Sequence, residues 1–228
     1  MPSRNKGMSE PGPKSGRASE AIAFNNQKIA MSDAPRLLTL DLASRFGWAF
    51  GVAGAKPVSG SRYFTRDGAS PKGGPISNGA KFWNAMRFIS GAIEEYRPTN
   101  IVCEMPIAPS SKQGQTSTAA FEILYGLPAA VRGMAYGLGV YEWEYATPST
   151  VRKHFIGNGG LKGEDAKPIV FRKCLALGWI SADDEDLSHD RSDALAIWSW
   201  AEAKIAPKLA QPVDDLFLKA ASRKRSEP

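Results

Sequence analysis

The chain has 228 residues, a hydrophobic content of 43% and a formal net charge of +6. Its length suits one domain with a substantial core, and its ordinary hydrophobicity argues against a disordered or fibrous protein. No apolar run approaches the roughly 20 residues of a membrane span, and the first 30 residues are too polar for a signal peptide. We therefore expect a cytoplasmic protein with no membrane partner. Cys103 and Cys174 lie in apolar segments without zinc-site spacing, which predicts buried free thiols.

Most of the excess positive charge lies in the two ends of the chain. Residues 1–35 and 204–228 together hold eleven Lys and Arg against six Asp and Glu, which is +5 of the total +6. Basic tails are typical of proteins that bind a polyanion, but they also occur as solubilising extensions. Charge alone leaves both interpretations open.

The chain order of predicted elements indicates an α/β domain at 36–205 between a disordered basic tail, 1–35, and a flexible basic C-terminal tail, 206–228. Apolar runs and helical spacing predict strands at 36–42, 46–52, 61–65, 100–104 and 140–145, and helices at 78–96, 116–136, 147–155, 168–177 and 188–203. Three early strands followed by alternating strands and helices predict a mixed sheet with antiparallel early strands and helices on both faces. A right-handed crossover would make the first strand and 100–104 parallel neighbours.

The last predicted helix contains two acids on one face. Asp190 and Asp193 are three residues apart, and their face continues through Ala194, Ile197 and Ala201, which should pack on the sheet. An acid in the first turn of a helix is often a surface residue that the helix dipole favours. Two acids leading an inward apolar stripe are costly to bury unless a cation neutralises them. The pair therefore indicates a metal.

Two further acids end predicted strands. Asp41 follows an apolar run beginning at Leu37, and Glu104 follows Asn100-Ile101-Val102-Cys103. Each could singly be a turn or capping residue, but open α/β sheets gather ligands at this end of their strands. The four acids together predict a carboxylate site for two Mg²⁺ ions, for which Mn²⁺ would substitute, of the kind that hydrolyses phosphodiesters.

These segments resemble the RuvC-type Holliday-junction resolvases, in particular their phage-associated branch. Residues 40–49, LDLASRFGWA, are similar to the family's first strand and turn, and 102–106, VCEMP, to its second acidic strand. Residues 190–197, DRSDALAI, resemble its closing Asp-x-x-Asp helix. Order and spacing agree over about residues 36–203.

The resemblance implies an RNase H-like fold, a homodimer, and Mg²⁺-dependent cleavage of branched DNA such as four-way junctions. It assigns Asp41, Glu104, Asp190 and Asp193 as metal ligands. The family also has a catalytic basic residue at the start of the penultimate helix, a position that Lys167 fits best and Lys162 second.

Candidate DNA contacts and two departures from the family accompany this assignment. The candidate DNA-binding residues are Lys112, Arg152, Lys153 and Lys162, although each could instead be a solvated surface charge. The family's Gly two residues after the first Asp is Ala43 here, and Ile107 stands where some members place an aromatic wedge.

Two other functions remain open from the residues. A catalytically inactive nucleic-acid-binding protein could keep the same fold, although it would have no physical reason to retain four costly carboxylates. An actin-like ATPase or kinase also begins with an acid-ended strand and a Gly-containing turn, but it needs a second phosphate-binding turn and a longer chain. The run Asp183-Asp184-Glu185-Asp186 is predicted to be a solvated loop.

Overall fold

A computed structural model describes residues 33–43, 45–64, 76–107 and 118–213. The predicted N-terminal tail up to residue 32, the loop containing Lys112, and the C-terminal tail from residue 214 lie outside the described residues. The described residues from Ala34 onward belong to one compact unit. No helix in this part of the chain is both long and apolar enough to cross a membrane.

The centre of the fold is a five-stranded mixed sheet in the order β3-β2-β1-β4-β5. Its strands are β1 Arg36–Asp41, β2 Arg45–Val52, β3 Val58–Tyr63, β4 Asn100–Glu104 and β5 Glu142–Ala146. The first three strands are antiparallel, whereas β4 pairs in parallel with both β1 and β5. The predicted mixed sheet and the parallel pairing of its first and fourth strands are confirmed.

Five helices complete the described fold. They are α1 Asn78–Tyr96, α2 Thr118–Gly137, α3 Pro148–Ile156, α4 Gly163–Ala176 and α5 His189–Ile205. The prediction that α4 begins at Pro168 is wrong: the helix begins five residues earlier, and Pro168 lies inside it. A proline near a helix start loses only one backbone hydrogen bond, so the first turn could form before it.

Alternating side chains of β1 face two separate cores, one on each side of the sheet. Leu37 belongs to the core formed with α3, α4 and α5, whereas Leu38 and Leu40 belong to the core formed with α1 and α2. Successive strand residues point to opposite faces, so this alternation follows from strand geometry. Helices on both faces are therefore confirmed, and both cysteines are buried and free, as predicted.

Helix α5 lies directly on β2 because two glycines leave room for it. A Cβ atom on Gly47 would stand 1.8 Å from the carbonyl oxygen of Asp190, and one on Gly51 would stand 2.7 Å from the Trp198 ring. The Oγ1 atom of Thr39 on β1 also donates a 2.9 Å hydrogen bond to the Ala194 carbonyl. The beginning of α5 is thus held against the ends of β1 and β2.

Residues beyond α5 remain attached to this domain. The buried Glu202 carboxylate accepts hydrogen bonds from the backbone N–H groups of Gly54, at 2.7 Å, and Gln211, at 2.9 Å. Val213 packs against the core on the α5 side of the sheet. The described chain therefore stays in contact with the domain for several residues after the end of α5.

Candidate active site

Asp41 and Glu104 lie side by side at the carboxyl ends of two parallel strands. The register pairs Leu40 with Cys103, and the two acids come directly after that pair. Val102 belongs to the core beneath α5, and side chains two residues apart share a face, so Glu104 faces α5. By the same alternation Asp41 shares the face of Thr39, which bonds to α5. Strand pairing thus brings together two acids that are 63 positions apart.

Asp190 and Asp193 lie in the first two turns of α5. The helix begins after Ser188, whose Oγ accepts a 3.2 Å hydrogen bond from the Arg191 backbone N–H. The close contact at Gly47 places this helix start above the strand ends. The side chains of Asp190 and Asp193 are 23% and 20% exposed, so solvent still reaches both. We call the region around Asp41, Glu104, Asp190 and Asp193 the acidic cleft.

Electrostatic effects show that the four acids form one group. Burial raises the pKa of Asp41 well above its ordinary value, and the charges of Glu104, Asp193 and Asp190 raise it further. Burial and the Asp193 charge raise the pKa of Glu104 to about 7. Burial raises the pKa of Asp193 to about 6 despite the opposing charge of Lys167. The raised pKa values indicate that ionising all of these acids together is unfavourable without a neighbouring positive charge.

Two of the predicted basic residues lie at this acidic cleft. Lys167 Nζ is 3.8 Å from Asp193 Oδ2, and its charge lowers the pKa values of Asp41, Glu104 and Asp193. Arg152 on α3 also lowers the pKa values of Glu104 and Asp193, while one of its NH groups donates to the Leu161 carbonyl. Lys167 and Arg152 are therefore placed where a bound anion would meet both carboxylates and cations.

The other predicted DNA contacts lie elsewhere or outside the described residues. Lys153 is exposed and lines a surface groove with His154 and Trp200, and Lys162 is exposed immediately before α4. Lys112 is not among the described residues. Ile107, at the position of the missing aromatic wedge, is 65% exposed. The structure brings Arg152 to the cleft and gives Lys153 and Lys162 no described contact with the four acids.

Sequence reasoning missed Arg45 and misjudged one acid of the run before α5. Arg45 Nε is 3.4 Å from Asp190 Oδ2, and its NH2 atom is 3.3 Å from Asp186 Oδ1. Asp184 pairs with Arg191 at 2.9 Å. The prediction of a loop holds and Asp184 is accessible to solvent, but Asp186 is bonded to the domain rather than simply solvated. Arg45 and Asp186 are 141 positions apart, so no local spacing could have indicated their contact.

The donor chemistry of the cleft fits hard divalent cations, although the side chains do not form a closed ligand set. Carboxylate oxygens are the ligands that Mg²⁺ and Mn²⁺ prefer. Asp41, Glu104 and Asp193, whose pKa values are raised by burial, gain most from such a cation. Within the described residues, however, no three His, Cys, Asp or Glu side chains are arranged to hold a metal ion. Asp190 pairs with Arg45 and Asp193 with Lys167.

Comparison with solved structures identifies the fold. The chain superimposes on Thermus thermophilus RuvC in complex with a Holliday junction substrate with a TM-score of 0.55 and 17% identity, covering 78% of this chain and 99% of that one. It matches the yeast mitochondrial Holliday junction resolvase Ydc2 with a TM-score of 0.51 and 13% identity, covering 86% and 91%. No protein-family model and no curated protein sequence matches the chain. The predicted RNase H-like fold, in its RuvC form, is confirmed.

Proposed function

We propose that this protein is a metal-dependent endodeoxyribonuclease that cleaves branched DNA, with four-way junctions as its principal substrate. The observation that supports this most strongly is the grouping of Asp41, Glu104, Asp190 and Asp193 in one cleft. A fold shared with two Holliday junction resolvases agrees with it. Fold likeness by itself gives no activity, so the proposal depends on the residues of the site.

The four carboxylates would hold two Mg²⁺ ions between the strand ends and the start of α5. When bound, such ions activate water and stabilise the leaving oxygen of a phosphodiester, giving 5′-phosphate and 3′-hydroxyl ends. Asp41 and Glu104 are fixed by paired strands, and Asp190 and Asp193 by a helix packed on Gly47. Rigid elements therefore set the spacing of the ligand oxygens, as accurate positioning of a reacting phosphate requires.

The chain's own cations would act on the DNA rather than on the metals. Lys167 would move from Asp193 to the scissile phosphate and stabilise its developing negative charge. Arg152, whose guanidinium is already fixed by the Leu161 carbonyl, would contact a neighbouring phosphate. A homodimer would present two such clefts and place one nick in each of two opposed strands of a junction.

The test is cleavage of end-labelled four-way junction, flap and linear duplex DNA with Mg²⁺ or EDTA, beside the Asp193→Asn variant. We expect paired nicks confined to the junction, which require Mg²⁺ or Mn²⁺ and disappear in the variant. Equal cutting of flap and duplex would retain the nuclease and refute junction selectivity. Junction binding without cleavage in either metal would instead favour the inactive binding protein.

A further inference from the structure

A cluster of hydrogen bonds ties the segment before α5 to the edge of the sheet. Both oxygens of Asp186 bond to Ser61 on β3: the Ser61 backbone N–H donates to Oδ2 at 2.6 Å and its hydroxyl to Oδ1 at 3.1 Å. The Ser188 backbone N–H also donates to Oδ1 at 3.2 Å. The Ser188 hydroxyl donates to Ser61 Oγ at 2.8 Å. We call Arg45, Ser61, Asp186 and Ser188 the Asp186 cluster.

The cluster holds the Arg45 guanidinium on several sides. Its Nε and NH2 atoms donate to Ser61 Oγ at 3.1 and 2.8 Å, and NH2 also contacts Asp186 at 3.3 Å. The guanidinium carbon lies 5.6 Å from the centre of the Tyr63 ring, within the range of a cation–π contact. The planar fork of an arginine suits such simultaneous contacts, which a lysine ammonium cannot reproduce. Contacts with Ser61, Asp186 and Tyr63, and not only the one with Asp190, therefore hold the Arg45 side chain in place.

Asp186 is an ionised member of this cluster. Burial acts to raise its pKa, but hydrogen bonds from Ser188 and Ser61 more than offset burial, so the pKa lies below the ordinary value. The negative charge of Asp186 attracts Arg45 in competition with the four acids. This attraction holds Arg45 at the edge of the acidic cleft. The Nε atom of Arg45, which donates to Ser61 Oγ, also lies at ion-pair distance, 3.4 Å, from Asp190 Oδ2.

We propose that Arg45 and Asp186 are positioning residues that orient the Asp190 carboxylate for cation binding. The ion pair joins Arg45 Nε to Asp190 Oδ2, and in this role the other carboxylate oxygen, Oδ1, would take the cation. The same cluster fixes the start of α5, because Ser188 both caps the helix and bonds to Asp186. This inference rests on the proposed function, since it assumes that the four-carboxylate cleft binds divalent cations. Partners that orient a ligating carboxylate commonly change metal affinity by about 10- to 100-fold when removed.

The variants separate orientation from charge. Arg45→Lys keeps the positive charge and removes the fork, whereas Asp186→Asn removes the charge that restrains Arg45. The matched control is Asp184→Asn, which makes the same charge change two residues away, where the carboxylate bonds to Arg191 and the Ser181 backbone N–H. Thermal unfolding of each variant reports whether it is folded, and if Asp186→Asn fails to fold, Arg45→Lys decides the question.

Two quantities are measured. The first is the affinity of the DNA-free protein for Mn²⁺, determined from the electron paramagnetic resonance signal of the free ion. The second is the Mg²⁺ concentration that gives half-maximal cleavage. We expect Arg45→Lys and Asp186→Asn to weaken Mn²⁺ binding about tenfold and to raise the Mg²⁺ requirement in parallel, with junction binding in EDTA unchanged. The Asp184→Asn control should stay within about twofold of wild type.

Two results would overturn the positioning role while leaving the proposed function intact. Wild-type Mn²⁺ affinity in Arg45→Lys would show that charge alone is needed at this position. Tighter Mn²⁺ binding in either variant would show that Arg45 competes with the cation for Asp190. Failure of the wild-type protein to bind Mn²⁺ or to cleave DNA in Mg²⁺ is a different result, and it would overturn the proposed function together with the inference.

Discussion

Replacing Asp193 with Asn should stabilise the metal-free protein while it removes cleavage. Asp193 is 20% exposed, and burial raises its pKa from 3.8 to about 6. A carboxyl group whose pKa is raised by folding lowers the free energy of unfolding wherever it is ionised. For Asp193 this destabilisation is fully present above pH 6. It disappears as the pH falls below the unfolded value of about 3.9.

The size of the effect follows from the pKa shift. The rise of this pKa from 3.8 to about 6 corresponds to about 3 kcal/mol of unfolding free energy at pH 8. Asn is neutral at every pH and has nearly the same shape, so the variant should recover most of this amount. Loss of the Lys167 ion pair offsets little, because Lys167 is 42% exposed. For a domain of this size, 3 kcal/mol is a rise in Tm of about 6–12 °C.

The assay is thermal unfolding in EDTA at pH 8 and pH 4, with Asp183→Asn as the control. Asp183 is exposed, and its replacement changes the net charge by the same amount without altering the cleft. The Asp193→Asn variant should exceed wild type in Tm at pH 8 and approach it at pH 4, and the control should change little. A variant less stable than wild type at pH 8 would refute the reasoning that Lys167 and Arg152 compensate the buried, ionised carboxylate only in part.

Three further results are expected. Gly47→Ala should destabilise the fold by about 1–3 kcal/mol and reduce cleavage, because the new Cβ would stand 1.8 Å from the α5 backbone. The control Gly133→Ala, whose Cβ would meet no neighbouring element within 4 Å, should change neither property. Unfolding and cleavage assays compare the two variants. Lys167→Gln should lower the cleavage rate about 100-fold with Tm nearly unchanged, since Lys167 is 42% exposed; equal rates would exclude its role at the phosphate. The Mg²⁺ concentration for half-maximal cleavage should rise as pH falls below 7, because Glu104 and Asp193, with pKa values of about 7 and 6, must lose protons to bind a cation; a requirement independent of pH would contradict this.

Local patterns in the sequence determined the sheet, most of the helices and the identity of the four acids. Asp41 and Glu104 end apolar runs that form strands for simple reasons of burial, and the three-residue spacing of Asp190 and Asp193 needs only helical geometry. The predicted start of α4 was wrong because Pro168 was taken as the first residue of the helix. The helix begins at Gly163 and accommodates the proline after its first turn.

Residue spacing left open which charges contact those acids: the family resemblance indicated Lys167, and the tertiary structure established its contact and added Arg45. Lys167 contacts Asp193 because α4 packs beside α5, and Arg45 reaches Asp190 because Gly47 lets α5 lie on β2. These contacts join segments far apart in sequence, whereas residue spacing describes only neighbours within one element. Electrostatic pairing is therefore a property of packed elements, and the sequence determined the acids while the fold selected their partners.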